Sequence, residues 1–140
     1  MIEEKFIYEC KACGNVVELL RKGPGVLICC GKPMEEHVAK EVDTGNEKHK
    51  PVFEVKNDVV IVKVGDVPHP MEEKHHIEWI EFRGTDGTVG RKTVIGLEEA
   101  KVEFCNLCGK EGRFYSFCNL HGLWKSDYIK VPSGTSDCCK

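Results

Sequence analysis

The sequence predicts a mainly β protein, with a small metal-bound N-terminal unit followed by an antiparallel β-sandwich. Three observations support this prediction. Two cysteine-bearing turns occur within residues 1–36, β-branched runs alternate with turn signals from residue 50 onward, and no segment from 50 to 140 has long helical periodicity. Several short strands at this spacing are typical of a sandwich.

Length and charge narrow the class of protein. The 140 residues are enough for one ordinary domain, or for one small and one medium domain. The net charge of −3 does not indicate nucleic-acid binding. No stretch approaches the roughly 18 apolar residues of a membrane helix, and the charged start, MIEEKFIYEC, does not resemble a signal peptide. We therefore expect a cytoplasmic protein whose nine cysteines serve metal or redox roles rather than structural disulfides.

The first unit consists of two turns, YECKACGN and LICCGKPM, joined by VVELLRKGPGV. The apolar bulk between the turns is concentrated in Val16, Val17, Leu19 and Leu20. A unit this small rarely folds on its core alone, so it needs a metal or disulfides. The polar residues 37–47, HVAKEVDTGNE, are typical of a linker.

The remaining elements are strands. PVFEVK and VVIVKVG are β-branched runs separated by the hairpin signal Asn57-Asp58. HIEWIEF alternates, GTDGTVGRKTVIG carries an Asp-Gly turn before its strand, and AKVEFC and GRFYSFC complete the set. We expect Trp79 in the core of the sandwich. The tail, IKVPSGTSDCCK, is predicted to be flexible apart from its cysteines.

The first unit contains a strong metal-binding pattern. A C-x2-C-G motif contains Cys10 and Cys13, and a C-C-G motif contains Cys29 and Cys30. Fifteen residues separate Cys13 from Cys29. Two cysteines across a turn supply half of a tetrahedral thiolate site. Glycine after each pair lets backbone amides turn toward the sulfurs. Four thiolates suit zinc or iron. Disulfides or buried thiols are the alternative, but adjacent cysteines, about 3.8 Å apart at Cα, are too close for an ordinary bridge.

The segment CNLHGLW indicates a second site. In it Cys118 and His121 are separated by two residues, a spacing at which one turn can direct two side chains at one metal ion. Five histidines lie outside the first unit: His49, His69, His75, His76 and His121. A single histidine is usually an ordinary surface or core residue, but five in about a hundred residues, with a cysteine, indicate a metal site. His69 is flanked by two prolines, which stiffen its loop.

Taken together, the motifs YECKACGN…LICCGKPM, EKHKPV, VPHPMEEKHHIEWIE and FCNLHGLWK resemble desulfoferrodoxin, the two-iron class of superoxide reductase, over residues 5 to 125. The resemblance implies a rubredoxin-like iron held by Cys10, Cys13, Cys29 and Cys30. It implies a second iron with four equatorial histidines and an axial cysteine: His49, His69, His75, His121 and Cys118. Five ligands argue for octahedral iron with one vacancy rather than tetrahedral zinc.

The resemblance also implies a role for two residues beside the vacant sixth coordination position of the second iron. Lys48 would steer the superoxide anion in, and Glu47 would occupy the sixth position at rest and then swing away. His76 is expected to be structural, because alternation places it on the face opposite His75. The implied domains are a desulforedoxin-like unit (1–37), a linker (38–47), an immunoglobulin-like superoxide reductase sandwich (48–126) and a C-terminal extension (127–140).

The implied activity is one-electron reduction of superoxide to hydrogen peroxide, with a rubredoxin-type carrier as electron donor and a homodimer as the assembly. No nucleic acid or membrane is expected as a partner. One alternative is an electron-transfer protein without turnover, in which the four-thiolate site is functional and the His/Cys set is structural. Another is a structural zinc protein that binds partners.

Four cysteines are left over by the resemblance. Cys105 and Cys108 lie in FCNLCGK, and Cys138 and Cys139 lie in SDCCK. The first two form a C-x2-C-G motif, and twenty-nine residues separate Cys108 from the adjacent pair Cys138 and Cys139. This order of motifs is similar to that of the first site. A third four-thiolate site is one interpretation, and free or disulfide-forming thiols are the other. We predict two metals per chain and assign these four cysteines to the second interpretation.

Overall fold

The computed structural model describes residues 6–41, 49–65 and 69–134. Within them the N-terminal unit has five short strands: β1 (Phe6–Glu9), β2 (Val16–Leu19), β3 (Ile28–Cys29), β4 (Lys32–Pro33) and β5 (Glu35–His37). Strand β1 pairs antiparallel with β2 and β5, and β3 pairs with β4 in a separate hairpin. Among its described hydrophobic residues only Ile7 and Cys10 are almost completely buried, as expected for so small a unit.

The larger part of the chain is an antiparallel sandwich. Its strands are β6 (Pro51–Lys56), β7 (Val59–Val64), β8 (Ile77–Gly84), β9 (Val89–Thr93), β10 (Lys101–Phe104), β11 (Glu111–Cys118), β12 (Gly122–Lys125) and β13 (Ile129–Lys130). One sheet has the order β10-β7-β6, and the other has the order β12-β11-β8-β9 with β13 also on β11. The predicted mainly β fold is confirmed, and the part of the chain that the structure describes contains no helix that could span a membrane.

The core lies between these two sheets. The alternating residues Val60, Val62 and Val64 of β7 face Phe82 and Phe114 of the opposite sheet, and all five are almost completely buried. The hairpin between β6 and β7 turns at Asn57 and Asp58, whose φ angles are 51° and 65°. Two consecutive left-handed residues are what a tight two-residue hairpin turn requires, so the predicted turn is confirmed.

Trp79 is not in that core, and the prediction that placed it there is wrong. Its neighbours Ile80 and Phe82 point inward, and the register of β8 against β11 shifts next to Cys118, so Trp79 faces outward. It is half-buried and stacks on Phe117, with ring centroids 4.5 Å apart and 2° between the planes. This outer face of the sheet is where the N-terminal unit packs.

A second, smaller cluster joins the two units. Ile7 of β1 packs there with Tyr115, Phe117 and Leu123 of the sandwich. At its edge Glu18 on β2 forms ion pairs of 3.1 Å with two arginines of the sandwich, Arg83 and Arg91. The N-terminal unit is therefore attached to the sandwich by both apolar contact and charge.

Two polar stretches are more ordered than the sequence predicts. The segment predicted as a linker begins inside β5, and the Lys40 amide donates to the Leu123 carbonyl at 3.0 Å, while its residues 42–47 lie outside the described residues. In the tail, β13 pairs with the start of β11, and Ile129 and Val131 are buried in the main core. The prediction of a flexible tail is therefore wrong for residues 129–134, because these apolar side chains complete the sandwich.

Candidate metal centres

The four cysteines of the N-terminal unit come together at one end of β1 and β3. Their sulfur atoms all lie within 4.8 Å of one another. The Cys13 and Cys29 sulfurs are 3.6 Å apart, and the Cys29 and Cys30 sulfurs are 4.0 Å apart. Cys10 is buried, whereas Cys13 and Cys30 are exposed, so one edge of the cluster faces solvent.

Backbone geometry explains why these residues converge. The amide of Gly14, at φ 84°, donates to the Cys10 carbonyl at 2.7 Å and closes the first turn. In the second turn Cys30 itself is left-handed, with φ 53°, and Gly31 follows at 74°. A left-handed non-glycine residue costs about 1–3 kcal/mol. That conformation brings the sulfurs of two adjacent cysteines to one centre, which ordinary extended backbone would point apart.

The thiols of this cluster influence one another's protonation. The backbone amide of Cys13 lowers the pKa of the Cys10 thiol to about 7, against an opposing effect of desolvation. The thiols of Cys13 and Cys10 raise the pKa of Cys30 to about 12, and Cys10 also raises the pKa of Cys29. The Cys10 thiolate therefore forms readily, whereas Cys29 and Cys30 resist deprotonation, because negative charge would accumulate. A bound metal cation relieves this repulsion, so the donor set fits iron.

The second cluster lies at one end of the sandwich. Cys118 ends β11, and His121 lies in the turn that leads to β12. His49 precedes β6, and His69 and His75 precede β8. The Cys118 sulfur is 3.6 Å from His69 Nε2 and 3.6 Å from His121 Nδ1. The ligand atoms of His49, His75, Cys118 and His121 lie within 4.8 Å of one another.

The four imidazoles are arranged as a square. Going around it, the ring centroids of His49 and His69 are 4.8 Å apart, and those of His69 and His75 are 4.7 Å apart. His75 and His121 are 5.1 Å apart, and His121 and His49 are 4.7 Å apart. The diagonal from His49 to His75 is longer, at 6.5 Å. Four nitrogen donors around one centre with a sulfur beside them suit a metal of higher coordination number than tetrahedral zinc.

Neighbouring groups orient these rings. His69 Nδ1 donates to the Pro70 carbonyl at 2.8 Å, which leaves Nε2 directed at the Cys118 sulfur. The buried Ser116 hydroxyl donates to the His49 carbonyl at 2.8 Å. His75 Nε2 is buried and has no hydrogen-bond partner. A buried imidazole nitrogen without a partner is costly in a folded protein, and a metal ion at the centre of the square would satisfy it.

Burial differs across the cluster. Cys118 is completely buried, and His49 and His69 are 3% and 4% exposed, whereas His75 and His121 are half-buried. The sulfur therefore lies on the inner side of the cluster, with part of the imidazole square toward the surface. One thiolate and four neutral imidazoles fit iron, and the residues present agree with the predicted ligand set.

Some predicted residues are not in this cluster. Glu47 and Lys48 lie outside the described residues. The His76 side chain bonds instead to the Glu72 carbonyl, at 2.9 Å from Nδ1. This agrees with the expectation that His76 is structural.

Asn119 was not predicted from the sequence. Its side chain accepts from the His76 amide at 2.9 Å and donates to the Lys74 carbonyl at 3.0 Å. It thereby ties the loop that carries His75 to the turn that follows Cys118 and carries His121. Its place between Cys118 and His121 was the available signal.

The sixth histidine connects the two units near both clusters. His37 Nε2 is 2.7 Å from the carboxylate of Glu9, and its ring packs edge-on against Phe117 at 5.1 Å. Burial alone would raise the pKa of Glu9, but hydrogen bonds from His37 and Lys11 outweigh it and keep the pKa low. Gly122 makes room for the ring, because a β-carbon there would lie 2.9 Å from His37 Nδ1.

Comparison with known proteins agrees with this geometry. The family model "Desulfoferrodoxin" matches residues 41–127, and "Desulfoferrodoxin, N-terminal domain" matches residues 2–36. A "desulfoferrodoxin homolog" of Archaeoglobus fulgidus is 47% identical over 126 residues, which cover 90% of this chain and 99% of that protein. A "superoxide reductase" of Pyrococcus abyssi is 36% identical over 111 residues, covering 67% of this chain and 96% of that protein. The crystal structure of the superoxide reductase from Treponema pallidum superposes with a TM-score of 0.70 at 28% identity, over 87% of this chain and 97% of that one.

Proposed function

This chain belongs to the desulfoferrodoxin family, and we propose that it is a superoxide reductase. The reaction adds one electron and two protons to superoxide and releases hydrogen peroxide. The observation that carries the proposal is the square of four imidazoles with one buried thiol beside it. A closed structural site would need four ligands, and this cluster has five.

Two iron ions would be held by separate sets of residues. The first would be bound by Cys10, Cys13, Cys29 and Cys30, and the second by His49, His69, His75, His121 and Cys118. The second iron, when bound, supplies a Lewis acid and the electron. Because the imidazoles are neutral and only one thiolate is present, the site keeps a net positive charge that attracts an anion. The buried position of Cys118 leaves the opposite, more exposed side of the square for the substrate.

The two residues before His49 complete the proposed site. Lys48 supplies a positive charge that steers superoxide, and Glu47 covers the open position when no substrate is present. Support for this comes from the sequence, in which both residues immediately precede the most buried histidine of the square. A site near solvent makes such steering sensitive to salt.

We also propose the finer properties that the family resemblance implies. A rubredoxin-type carrier in the cytoplasm donates the electron, and the exposed Cys13 and Cys30 give the first cluster an edge that a carrier can approach. The chain forms a homodimer, for which the N-terminal unit offers three apolar side chains that are more than half exposed. They are Leu20, Val26 and Ile28, at 94%, 70% and 59% exposure.

The product stoichiometry tests the activity. The iron-loaded, reduced protein is mixed with superoxide under anaerobic conditions, and peroxide and dioxygen are both measured. A reductase yields one peroxide per superoxide and no dioxygen, whereas dismutation yields half as much peroxide together with dioxygen. An electron-transfer protein without turnover would not exceed the uncatalysed rate. Cys118→Ser should abolish the reaction, and Cys13→Ser serves as the matched control with one thiolate lost from the other cluster.

A further inference from the structure

Lys40 lies beside the second metal centre, although it belongs to the segment that joins the two units. Its ammonium group donates to the carbonyl of His121, one of the four histidines of the imidazole square, at 3.1 Å. The same ammonium group lies 5.2 Å from the ring centroid of Trp124, and a cation over an aromatic face is attracted to it. Trp124 in turn stacks on His49. Lys40 therefore contacts one candidate ligand directly and a second one through a shared aromatic neighbour.

The backbone fixes Lys40 in this place. Its amide donates to the Leu123 carbonyl at 3.0 Å, and the Lys125 amide donates to the Lys40 carbonyl at 2.8 Å. Lys40 and Trp124 are also partners in a parallel bridge. The segment after β5 is thus paired with β12, the strand that follows His121. Because both the backbone and the ammonium group of Lys40 are held, its positive charge has a defined position relative to the imidazole square.

The charge of Lys40 is not compensated by a carboxylate within the described structure. There its ammonium group pairs with no acid, and both of its contacts are to neutral groups. Two other lysines of the same region differ in this respect. Lys50 forms an ion pair with Asp127 at 2.8 Å, and Lys125 forms one with Glu41 at 3.5 Å. Lys40 therefore adds a whole positive charge to its surroundings, whereas the charges of Lys50 and Lys125 are balanced by acids.

This charge is close enough to the metal centre to affect an anion bound there. The carbonyl and the ring of one histidine are only a few bonds apart, so the ammonium group lies within about 10 Å of the middle of the imidazole square. Two unit charges about 10 Å apart change a binding constant roughly two- to tenfold, for an effective dielectric constant between about 80 and about 25. Lys40 is exposed, so salt should screen the effect. The Debye length falls from about 30 Å at 0.01 M salt to about 3 Å at 1 M.

We propose that Lys40 is a fixed cationic residue of the second metal centre, supplied by the segment between the two units, and that it strengthens the binding of anions at that centre. Lys40 falls between residues 2–36 and residues 41–127, the two regions that the family models match. It acts through its electric field and does not need to touch the anion. In naming superoxide as that anion, this inference rests on the function proposed above.

An azide titration of the full-length, iron-loaded and oxidised protein tests the proposal without superoxide. Azide is an anion that binds ferric iron, and the change in visible absorption of the second centre gives its dissociation constant. Lys40→Gln removes the charge but keeps a hydrogen-bond donor for the His121 carbonyl. We expect this variant to bind azide about two- to tenfold more weakly at about 0.01 M salt. The difference should disappear at about 1 M salt, because the charge is then screened.

Two further variants separate the charge from other effects of substitution. Lys40→Arg keeps the charge and should bind azide as the unmodified protein does. Lys56→Gln removes the same charge from the far end of β6, a strand that spans about 20 Å. It should change azide binding by less than about 1.5-fold. The visible spectrum before azide is added shows that the ligand set of each variant is intact.

Three results would overturn the proposal. They are an unchanged azide affinity of Lys40→Gln at low salt, a loss of affinity that is the same at low and high salt, and an equal loss in Lys40→Arg. Failure of the proposed function would appear in a different measurement, the yield of peroxide from superoxide. A protein that failed there but showed the expected azide pattern would keep Lys40 as an anion-attracting residue and lose only superoxide as its substrate.

Discussion

The imidazole of His49 lies parallel to the indole of Trp124, with ring centroids 4.7 Å apart and 12° between the planes. The same indole donates from Nε1 to the His121 carbonyl at 3.2 Å. Its other neighbour is Lys40, whose ammonium group is 5.2 Å from the ring centroid. One largely buried aromatic residue therefore positions two neighbouring corners of the imidazole square.

Replacing Trp124 by leucine should loosen the second metal centre. Groups that orient metal ligands typically change metal affinity by about 10–100-fold, and we expect a loss of this size in iron retention against a chelator. Trp124→Phe keeps an aromatic face and should lose less. The four-cysteine centre of the same molecule is the internal control. Equal iron retention in Trp124→Leu and the unmodified protein would contradict the positioning role.

The two metal centres should be separable by mutation. Cys13→Ser removes one thiolate from the N-terminal cluster, so we expect the colour of that centre to disappear while most superoxide reduction remains. The reason is that no ligand is shared between the clusters. Visible spectra and superoxide consumption should be measured on the same folded sample. Loss of reduction in a folded variant would mean that the first centre is required for turnover.

Charged side chains near the vacant coordination position of the second metal centre should control the rate at which superoxide binds. Lys48→Ile should slow superoxide binding and flatten its dependence on ionic strength, because steering by an exposed charge is screened by salt. Glu47→Ala is the adjacent control and should leave the binding rate nearly unchanged. Pulse-radiolysis rates at several salt concentrations measure both effects. Equal salt slopes in the lysine variant and the unmodified protein would argue against steering.

The sequence predicted the sites better than it predicted the packing between elements. Metal ligands are recognisable because their chemistry demands particular residue types, so the sequence alone indicates all nine candidate ligands. The orientation of Trp79 could not be predicted, because the face of the sheet on which it lies depends on a register shift beside Cys118, and no local sequence pattern reveals that shift. The tail was missed because Ile129 and Val131 are isolated apolar residues whose burial depends on the distant strand β11. Ser116 and Asn119 support ligands through contacts that only tertiary structure shows.

A surface ion pair should make the free energy of unfolding depend on pH in the acid range. The Lys110 ammonium, 2.7 Å from the Asp86 carboxylate, together with the Thr88 hydroxyl and amide, holds the pKa of Asp86 well below its usual 3.8. A lowered folded-state pKa adds stability above the unfolded-state value, and that stability is lost as pH falls through the folded-state value.

Asp86→Asn should therefore lower the denaturation midpoint at about pH 7, and the difference from the unmodified protein should shrink below about pH 4. Denaturant titrations of both proteins at matched pH values measure this difference. Glu98→Gln, at an exposed acid on another loop, is the control. A difference that stays constant across the whole acid range would show that Asp86 acts through something other than its charge.

The docked tail should contribute to the stability of the sandwich. Val131 is 1% exposed and belongs to the main core. Its amide donates to the Lys110 carbonyl and its carbonyl accepts from the Gly109 amide, in the turn between β10 and β11. Val131→Ala removes two buried methylene equivalents, so we expect the free energy of unfolding to fall by about 2 kcal/mol. Val38→Ala, at a residue 72% exposed, is the matched control and should change the free energy by less than about 0.5 kcal/mol. Denaturant unfolding of both variants and of the unmodified protein measures these differences. An equal, small effect of both substitutions would mean that residues 129–134 are not part of the cooperative core.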